Sequence, residues 1–325
     1  MRESSSGRDS DGRSIRRWAP RFLLLLCSSV VALALAEGWA RLTYRPVLEM
    51  SGEFLGVEAY PEQRNHDGFR EGDLEVEVMA AGMQRVLFLG DSFTFGSGVD
   101  DPALRFSDRL ERAFGDGFHF YNAGIPGSQP SDWVRFVGVF LRDYRPDAVV
   151  AVFFLRDGTA LGTALHYHVD RIAEIRAEHC GRPVERHSYL VKRICDIRVQ
   201  RDFTEWYLGE FRRAYLGSEQ ERRVWVEMQA ELLAIRKSSV EAGASFHLVV
   251  FPLLYGLKDY EFHDVEAEIL RFAETHDIPA MSLISGFEGK DERDLWVSPV
   301  DQHPNAVGHE IAAETLLPYL TEILK

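Results

Sequence analysis

Short apolar runs alternate with longer amphipathic stretches along most of this chain, and this alternation restricts the fold more than any other feature. Four runs have the length and composition of buried strands, and they cover residues 85–90, 118–122, 148–154 and 246–251. Continuous apolar runs are typical of parallel strands that are covered on both faces. Because they alternate with helices, they predict an α/β fold with a doubly wound parallel sheet and helices on both faces.

The amphipathic stretches predict the helices of this fold at residues 106–114, 133–142, 220–242, 265–276 and 305–324. Residues 158–218 interrupt the alternation, because they are rich in arginine, glutamate and aromatic residues and contain no clear strand. We interpret them as an insertion near the carboxyl edge of the sheet, either a lid over a site or a solvated helical excursion.

The N terminus has the pattern of an export signal. Six arginines within residues 1–21 precede an apolar run at residues 22–36, which reads FLLLLCSSVVALALA. Since positive charge stays on the cytoplasmic side, the rest of the chain is predicted to face the other side of the membrane. Residues 1–21 show no periodicity and are interpreted as a disordered cytoplasmic tail.

Two interpretations of the apolar run stay open. Residues 34–36 (ALA) have the small-x-small form of a signal-peptidase site, and the run is short for a span of about 20 residues. Against cleavage, Trp39 stands where interfacial aromatic residues are found, and Arg41 can extend towards the headgroups. We therefore favour a membrane-anchored chain with a transmembrane signal-anchor at residues 22–40, a linker at residues 41–82 and a folded domain at residues 83–325.

Charge and motif content exclude several classes of protein. The formal net charge of -14 disfavours nucleic acid as a partner. The chain contains no G-x-S-x-G, G-x-G-x-x-G or Walker motif, which disfavours the α/β-hydrolase fold, dinucleotide enzymes and P-loop NTPases.

The cysteines leave one question open. Cys27 lies in the apolar run, so Cys180 and Cys195 are the pair in the exported part. An oxidising compartment permits a disulfide between them, and two small buried thiols are the alternative.

Polar residues and glycines follow the first two predicted strands, at the edge where a doubly wound sheet binds ligands. Residues 90–96, GDSFTFG, place Ser92 at a strand-to-helix turn, where its hydroxyl and its backbone N–H face the same space. Residues 122–127, NAGIPG, end the second strand, and Gly127 can offer a backbone N–H to a reacting group.

Two further segments add charged and titratable side chains. Arg156 follows the third predicted strand. Near the C terminus, His303 is predicted to stand on a short loop before the last helix, two residues after Asp301. A histidine in this position can act as a general base.

Together, residues 90–96, 122–127, 154–158 and 298–309 resemble, in this order, the motifs of the SGNH/GDSL hydrolase family. Residues 65–70, NHDGFR, look like the segment that precedes the fold in the membrane-anchored bacterial branch of that family. The resemblance implies a flavodoxin-like doubly wound sheet, the SGNH hydrolase fold, and an enzyme that acts on ester bonds.

Carried over by motif, the resemblance makes Ser92 the nucleophile and His303 its base. It assigns the backbone N–H groups of Ser92 and Gly127 to the oxyanion hole, and it makes Asp91 mainly structural. The chemistry is consistent with these roles, because a serine needs a neutral imidazole to take its proton and backbone donors to hold the oxyanion.

The sequence departs from the family pattern at two positions. Arg156 stands where the family has an asparagine that supplies a third oxyanion donor; arginine can stabilise the oxyanion or a charged substrate group, or it can pair with an acid such as Asp157. The family's aspartate lies three residues before the histidine, where this chain has Val300, whereas Asp301 lies two residues before it. This spacing resembles that of the alginate O-acetyltransferase branch, so we predict that Asp301 orients His303.

The leading functional prediction is an extracytoplasmic serine esterase that hydrolyses a small acyl ester on a cell-envelope carbohydrate or lipid. An O-acyltransferase that uses the same site, with a membrane partner supplying the acyl group, is one alternative. A non-catalytic carbohydrate-binding or assembly protein on the esterase fold is another, since a fold alone does not imply activity. The mechanism requires no cofactor.

The remaining histidines receive structural interpretations. Residues 166–168, HYH, alternate as metal ligands on a strand would, but they have no further ligands at useful spacing, so we predict a polar surface and no metal site. We expect His309 to pack behind the His303 segment rather than to act as a second base.

Overall fold

The structure is a computed structural model that describes residues 11–44, 60, 63–72, 82–162, 165–181, 183–299 and 301–324; of residues 11–20, 162 and 165–168 it describes the backbone only. The chain forms two compact units. The helical unit comprises Met1–Glu49 and Arg171–Phe203, and the sheet unit comprises Met50–Asp170 and Thr204–Lys325. Large parts of the predicted linker, and Val300, lie outside the described residues.

Five parallel strands form the main sheet in the order β2-β1-β3-β4-β5. A separate antiparallel pair is formed by β6 and β7. The strands are β1 (Gln84–Gly90), β2 (Phe118–Gly124), β3 (Ala148–Phe154), β4 (Ser245–Phe251), β5 (Ala280–Ser282), β6 (Trp296–Ser298) and β7 (Asp301–Pro304).

The five helices predicted from the amphipathic pattern are confirmed, and each begins and ends within about three residues of its predicted bounds. The helices of the structure are α1 (Asp11–Thr43), α2 (Ser92–Phe95), α3 (Phe106–Phe114), α4 (Pro130–Asp143), α5 (Leu165–His179), α6 (Tyr189–Leu216), α7 (Arg223–Glu241), α8 (His263–Thr275), α9 (Ile284–Phe287) and α10 (Ala306–Ile323).

This strand order confirms the doubly wound α/β fold, and it is the flavodoxin-like order. The connection from β1 to β2 leads to one side of β1, and the connection from β2 to β3 leads back to the other side. Right-handed crossovers therefore put α3 and α4 on opposite faces of the sheet. Accordingly, α3 packs against α10, and α4 packs against α7.

Burial follows from this layering. All seven residues of β3 are buried, and the last five residues of β1 and of β2 are buried as well. Trp133 of α4 and Trp225 of α7 are fully buried against the sheet layer. The four predicted strands are confirmed, whereas β5 was not predicted, because its three half-buried residues give no apolar run.

The described part of the insertion consists of helices joined by short non-helical segments and contains no strand, in agreement with the absence of a strand signal. Residues 166–168 lie in α5, so the strand-like alternation of HYH was a wrong indication; their side chains lie outside the description. An α-helix turns by about 100° per residue, so alternate residues do not share a face there.

The helical unit contains α1 and the residues around the junction of α5 and α6. Helix α1 begins at Asp11, so residues 11–21 are helical rather than irregular as predicted; once a helix exists, adding a residue to it is easy. Its part from Arg21 to Thr43 contains a stretch of 18 residues with a mean hydropathy of 2.0 and is long and apolar enough to cross a membrane. Cys180 and Cys195 form a disulfide in this unit.

Candidate active site

Ser92 stands at the turn from β1 into α2, at the carboxyl edge of the sheet and near the point where the strand order reverses. The Asp91 side chain precedes the helix and accepts a hydrogen bond from the N–H of Phe93 at 2.8 Å. Two glycines make room for this turn. A Cβ at Gly90 would lie 1.9 Å from Oγ1 of Thr94, and one at Gly124 would lie 2.3 Å from the backbone nitrogen of Phe95.

His303 and Asp301 reach Ser92 from the short strand β7, so the prediction of a loop at this position was wrong. The Nε2 atom of His303 lies 2.9 Å from Oγ of Ser92, and its Nδ1 atom lies 2.6 Å from Oδ1 of Asp301. Residues two apart on a strand point to the same face, so the two-residue spacing is suited to a β-strand. The structure thus joins the three side chains in one chain of hydrogen bonds.

The charge of Asp301 is favoured by its partner. Burial alone would raise the pKa of Asp301, but hydrogen bonds from the ring and the backbone N–H of His303 lower it below its ordinary value. An ionised carboxylate next to Nδ1 holds the proton there and leaves Nε2 free to accept the hydroxyl proton of Ser92.

The ring of Phe93 supports the imidazole. Its centroid lies 5.4 Å from that of His303, and it stacks on Phe154 at 4.0 Å. Phe251 meets the same ring edge to face at 5.1 Å. Residues at the ends of β3 and β4 therefore fix the position of Phe93, which the sequence did not single out.

Gly127 lies in the loop after β2 with a φ of +77°, in the left-handed region that favours glycine. The same loop is tied to the end of β1, because Ile125 N–H and Ser128 Oγ both donate to the carbonyl oxygen of Gly90 at 3.0 Å. The indole N–H of Trp133 in turn donates to Oγ of Ser128 at 2.9 Å. The loop that carries Gly127 is thus held against Gly90, which lies two residues before Ser92 in the sequence.

Arg156 lies in a 3-10 turn directly after β3, and it pairs with the acid next to Ser92. Its Nη2 donates to Oδ2 of Asp91 at 3.0 Å, whereas the sequence suggested Asp157 as an example of an acid partner. Among the described residues, its Nε is buried and has no hydrogen-bond partner. Burial and the neighbouring Asp91 carboxylate raise the pKa of Asp157 well above its ordinary value.

Residues 65–70 contact the backbone just after α2. Arg70 is almost fully buried, and its guanidinium donates to the carbonyl oxygens of Gly96 and Asp100 at 3.0 and 2.8 Å. It also stacks over the ring of Tyr60 at 3.8 Å. This arginine helps to hold the turn that carries Ser92, a role for which the sequence gave only a motif resemblance.

The other titratable candidates differ from a catalytic group. His309 is fully buried, and its Nδ1 accepts the N–H of Phe106 at 3.3 Å. Burial lowers its pKa to about 3, with the neighbouring Arg105 as the next cause, so it is neutral. Among the described residues, one group close enough to share a metal ion contains Cys180, Glu185 and Cys195, but the two sulfurs are bonded to each other.

Comparisons with known proteins gave matches to solved structures. No family model matches the chain, and no curated protein does. A two-domain esterase active on acetylated mannans is 18% identical, over 75% of this chain and 50% of that chain, with a TM-score of 0.41. This chain therefore spans only half of that protein.

Two other matches cover nearly the whole length of the solved protein. A psychrotrophic esterase from Pseudoalteromonas is 17% identical over 74% of this chain and 98% of that chain, with a TM-score of 0.45. A lipolytic protein of the G-D-S-L family from Desulfitobacterium hafniense is 15% identical over 72% and 98%, with a TM-score of 0.40. All three are similar to this chain in fold.

Proposed function

We propose that this chain is a serine enzyme of the SGNH/GDSL hydrolase family that hydrolyses esters. The observation that carries the proposal is the chain of hydrogen bonds from Ser92 through His303 to Asp301, at 2.9 and 2.6 Å. Both distances are within hydrogen-bond reach for a nucleophile, a base and the group that orients the base.

In the first half of the reaction, Oγ of Ser92 attacks the ester carbonyl carbon while Nε2 of His303 takes the hydroxyl proton. The tetrahedral intermediate collapses, its C–O bond to the alcohol breaks, and the alcohol leaves with the proton from Nε2. In the second half, water attacks the acyl-serine with the same base, which releases the acid and restores Ser92. Asp301 stabilises the imidazolium in both halves without taking its proton.

The oxyanion needs donors already in place. We assign this role to the backbone N–H groups of Ser92 and Gly127, supported by the hydrogen bonds that fix the Gly127 loop to Gly90. Arg156 is the proposed third donor, at the position where the family has asparagine. Asp91 anchors its Nη2, and this contact leaves other N–H groups of the guanidinium for the substrate.

The proposed location is a membrane, with the sheet unit on its extracytoplasmic side. The six arginines that precede the apolar run at residues 22–36 support this orientation, because basic flanks stay cytoplasmic. Retention of the helix is supported by its continuity, since α1 continues through Ala36 to Thr43 without a break. From this location we propose a small acyl ester on an envelope carbohydrate or lipid as the substrate.

The test uses the full-length protein in detergent, an active-serine phosphonate probe and a small acetyl ester. We expect Ser92→Ala to abolish labelling and to lower turnover by a factor on the order of 10⁶, since removal of a serine nucleophile alone has such an effect. Ser97→Ala is the matched control, because the Ser97 hydroxyl is buried close by and has no hydrogen-bond partner among the described residues. Folded wild type that neither labels nor turns over the ester would count against the enzyme and favour a carbohydrate-binding protein.

Transfer to a sugar hydroxyl would use the same acyl-serine, with the acceptor in place of water. The two reactions separate when the acetyl ester and a glycan acceptor are supplied together. Free acetate alone supports hydrolysis, whereas acetylated glycan that is lost in Ser92→Ala supports the transferase.

A further inference from the structure

The helical unit binds the end of α1 to the start of α6, two segments far apart in the sequence. Glu37 accepts hydrogen bonds from Oγ of Ser188 at 2.7 Å and from the N–H groups of Tyr189 and Leu190 at 3.0 Å each. The first N–H groups of a helix have no partner within the helix, so the Glu37 carboxylate caps α6.

Later residues of α6 contact later residues of the α1 end. Arg193 donates to Oγ1 of Thr43 at 2.9 Å and lies over the ring of Trp39 at 4.4 Å. The hydroxyl of Tyr44 donates to Oδ2 of Asp196 at 2.8 Å. Since partners rise together from residue 37 to 44 and from 188 to 196, α6 runs beside the end of α1 in the same direction.

The hairpin tip, residues 181–188, joins the end of α5 to the start of α6 and so lies level with Glu37. The disulfide between Cys180 and Cys195 holds the two helices together behind it. Pro183, Val184, Arg186 and His187 of the tip are exposed. At a rise of about 1.5 Å per residue, Ile197 of α6 is about 12 Å farther along than Tyr189.

The packing of α1 changes at Ala36, next to Glu37. Every described side chain from residue 21 to 35 is exposed, whereas Ala36, Glu37 and Gly38 are half-buried and Ala40 is fully buried. The apolar run also ends at Ala36. The protein therefore begins to cover the helix where the apolar surface suited to lipid stops.

Charge also favours a lipid partner at the tip. Residues 171–203 carry eight Lys and Arg against five Asp and Glu, although the whole chain has 37 against 51. The guanidinium group of arginine is well suited to binding phosphate, and aromatic residues such as Trp39 and Tyr189 suit the interfacial layer.

We propose that the hairpin tip lies in the headgroup layer of the bilayer that α1 crosses, with Arg186 bound to phospholipid phosphates. Helix α1 and the hairpin then form one membrane-bound body, in which Glu37 fixes the depth of the tip. The inference rests on the proposed membrane span of α1, but not on the chemistry of Ser92.

The experiment measures depth in vesicles of phosphatidylcholine and phosphatidylglycerol that contain the full-length protein and headgroup spin-labelled lipid. Cys27→Ser removes the free cysteine, and either Val184→Cys or Ile197→Cys then carries a fluorophore. The two sites have similar exposures of 51% and 57%, so they form a matched pair. Unreduced peptide mapping checks that the Cys180–Cys195 disulfide persists.

We expect the Val184 site to be quenched at least about twofold more than the Ile197 site, because the latter is about 12 Å beyond the start of α6. Adding Arg186→Glu should remove most of this difference, whereas Arg198→Glu, an exposed arginine farther along α6, should not. Equal quenching at the two sites would overturn the proposal.

A separate label on Cys27, which is exposed within the apolar run, distinguishes the two ways of failing. Quenching of Cys27 by acyl-chain spin label, with equal quenching at residues 184 and 197, leaves the span intact and refutes only the position of the tip. A Cys27 label that is not quenched refutes the span, and the inference with it. Neither result bears on turnover by Ser92.

Discussion

Two aspartates lie beside the proposed nucleophile, and they differ in the partners of their carboxylates. Asp301 faces the imidazole of His303, which can gain or lose a proton, whereas Asp91 faces the guanidinium of Arg156, which is always charged. The Asp301 side chain is 31% exposed, and that of Asp91 is 1% exposed. One pair can thus take part in proton transfer, while the other is a fixed buried ion pair.

This difference indicates that Asp301 contributes mainly to the rate and the Asp91–Arg156 pair mainly to stability. A carboxylate that orients a base affects the rate, because the base must hold the right proton in the transition state. A buried ion pair affects stability when one partner is removed, because the other charge is left uncompensated. Substitutions on the two sides should therefore separate turnover from the free energy of unfolding.

The largest effect of substituting one of the two aspartates is expected for Asp301→Asn. The amide cannot hold the proton on Nδ1 or stabilise the imidazolium, so we expect kcat to fall by about 10⁴. The free energy of unfolding at neutral pH, measured by urea titration, should fall by less than in Asp91→Asn, because Asp301 is the more exposed of the two carboxylates. A loss below about tenfold would show that another group orients His303.

The pH profile of the same variant sharpens the comparison. The lowered pKa of Asp301 keeps its carboxylate ionised as pH falls, until the pH passes through that lowered value. Its stabilising contribution to the fold is therefore present at neutral pH and is lost only in strong acid. The acid limb of kcat should move to lower pH in Asp301→Asn, because the imidazolium loses a negative neighbour; an unmoved limb would contradict this.

A smaller loss of turnover is expected for substitutions of Arg156, the partner of Asp91. Arg156→Ala should lower kcat by about 10² to 10³ if the guanidinium donates to the oxyanion. Steady-state turnover of the acetyl ester measures this loss. Arg156→Lys keeps the charge but loses the planar guanidinium, so its kcat should lie between those of the wild type and Arg156→Ala. Unchanged turnover with a lower free energy of unfolding would reduce Arg156 to a structural partner of Asp91.

The smallest effect on rate is expected for Asp91→Asn. Asparagine can still accept the N–H of Phe93, but Arg156 loses its ionised partner. We expect kcat to stay within about tenfold, with a loss of roughly 1–3 kcal/mol in the free energy of unfolding. A loss of turnover as large as that of Asp301→Asn would erase the distinction between the two aspartates.

Much of the fold and the site could be predicted because the relevant signals are local. The runs at β1, β3 and β4 and the amphipathic period of α3 and α10 depend on near neighbours in the sequence. The pairing of Asp301 with His303 is local too, but it was predicted from the family resemblance; the strand β7, whose period of two puts both side chains on one face, was not predicted. The short strand β5 was missed because three residues are too few to show a period. The helical state of residues 166–168 was missed because two histidines separated by one residue look like the alternation of a strand.

By itself the sequence determined the alternation of strands and helices, the apolar N-terminal helix, the placing of Ser92 after a predicted strand, and the placing of His303 before a predicted helix. Only the tertiary structure decided which distant polar groups meet: Arg156 with Asp91 across 65 positions, and Glu37 with Ser188 across 151. Side-chain identity and spacing restrict near neighbours in the chain. Partners from separate elements are selected by packing, since a buried charge or an uncapped helix end requires whichever partner the fold brings within about 3 Å.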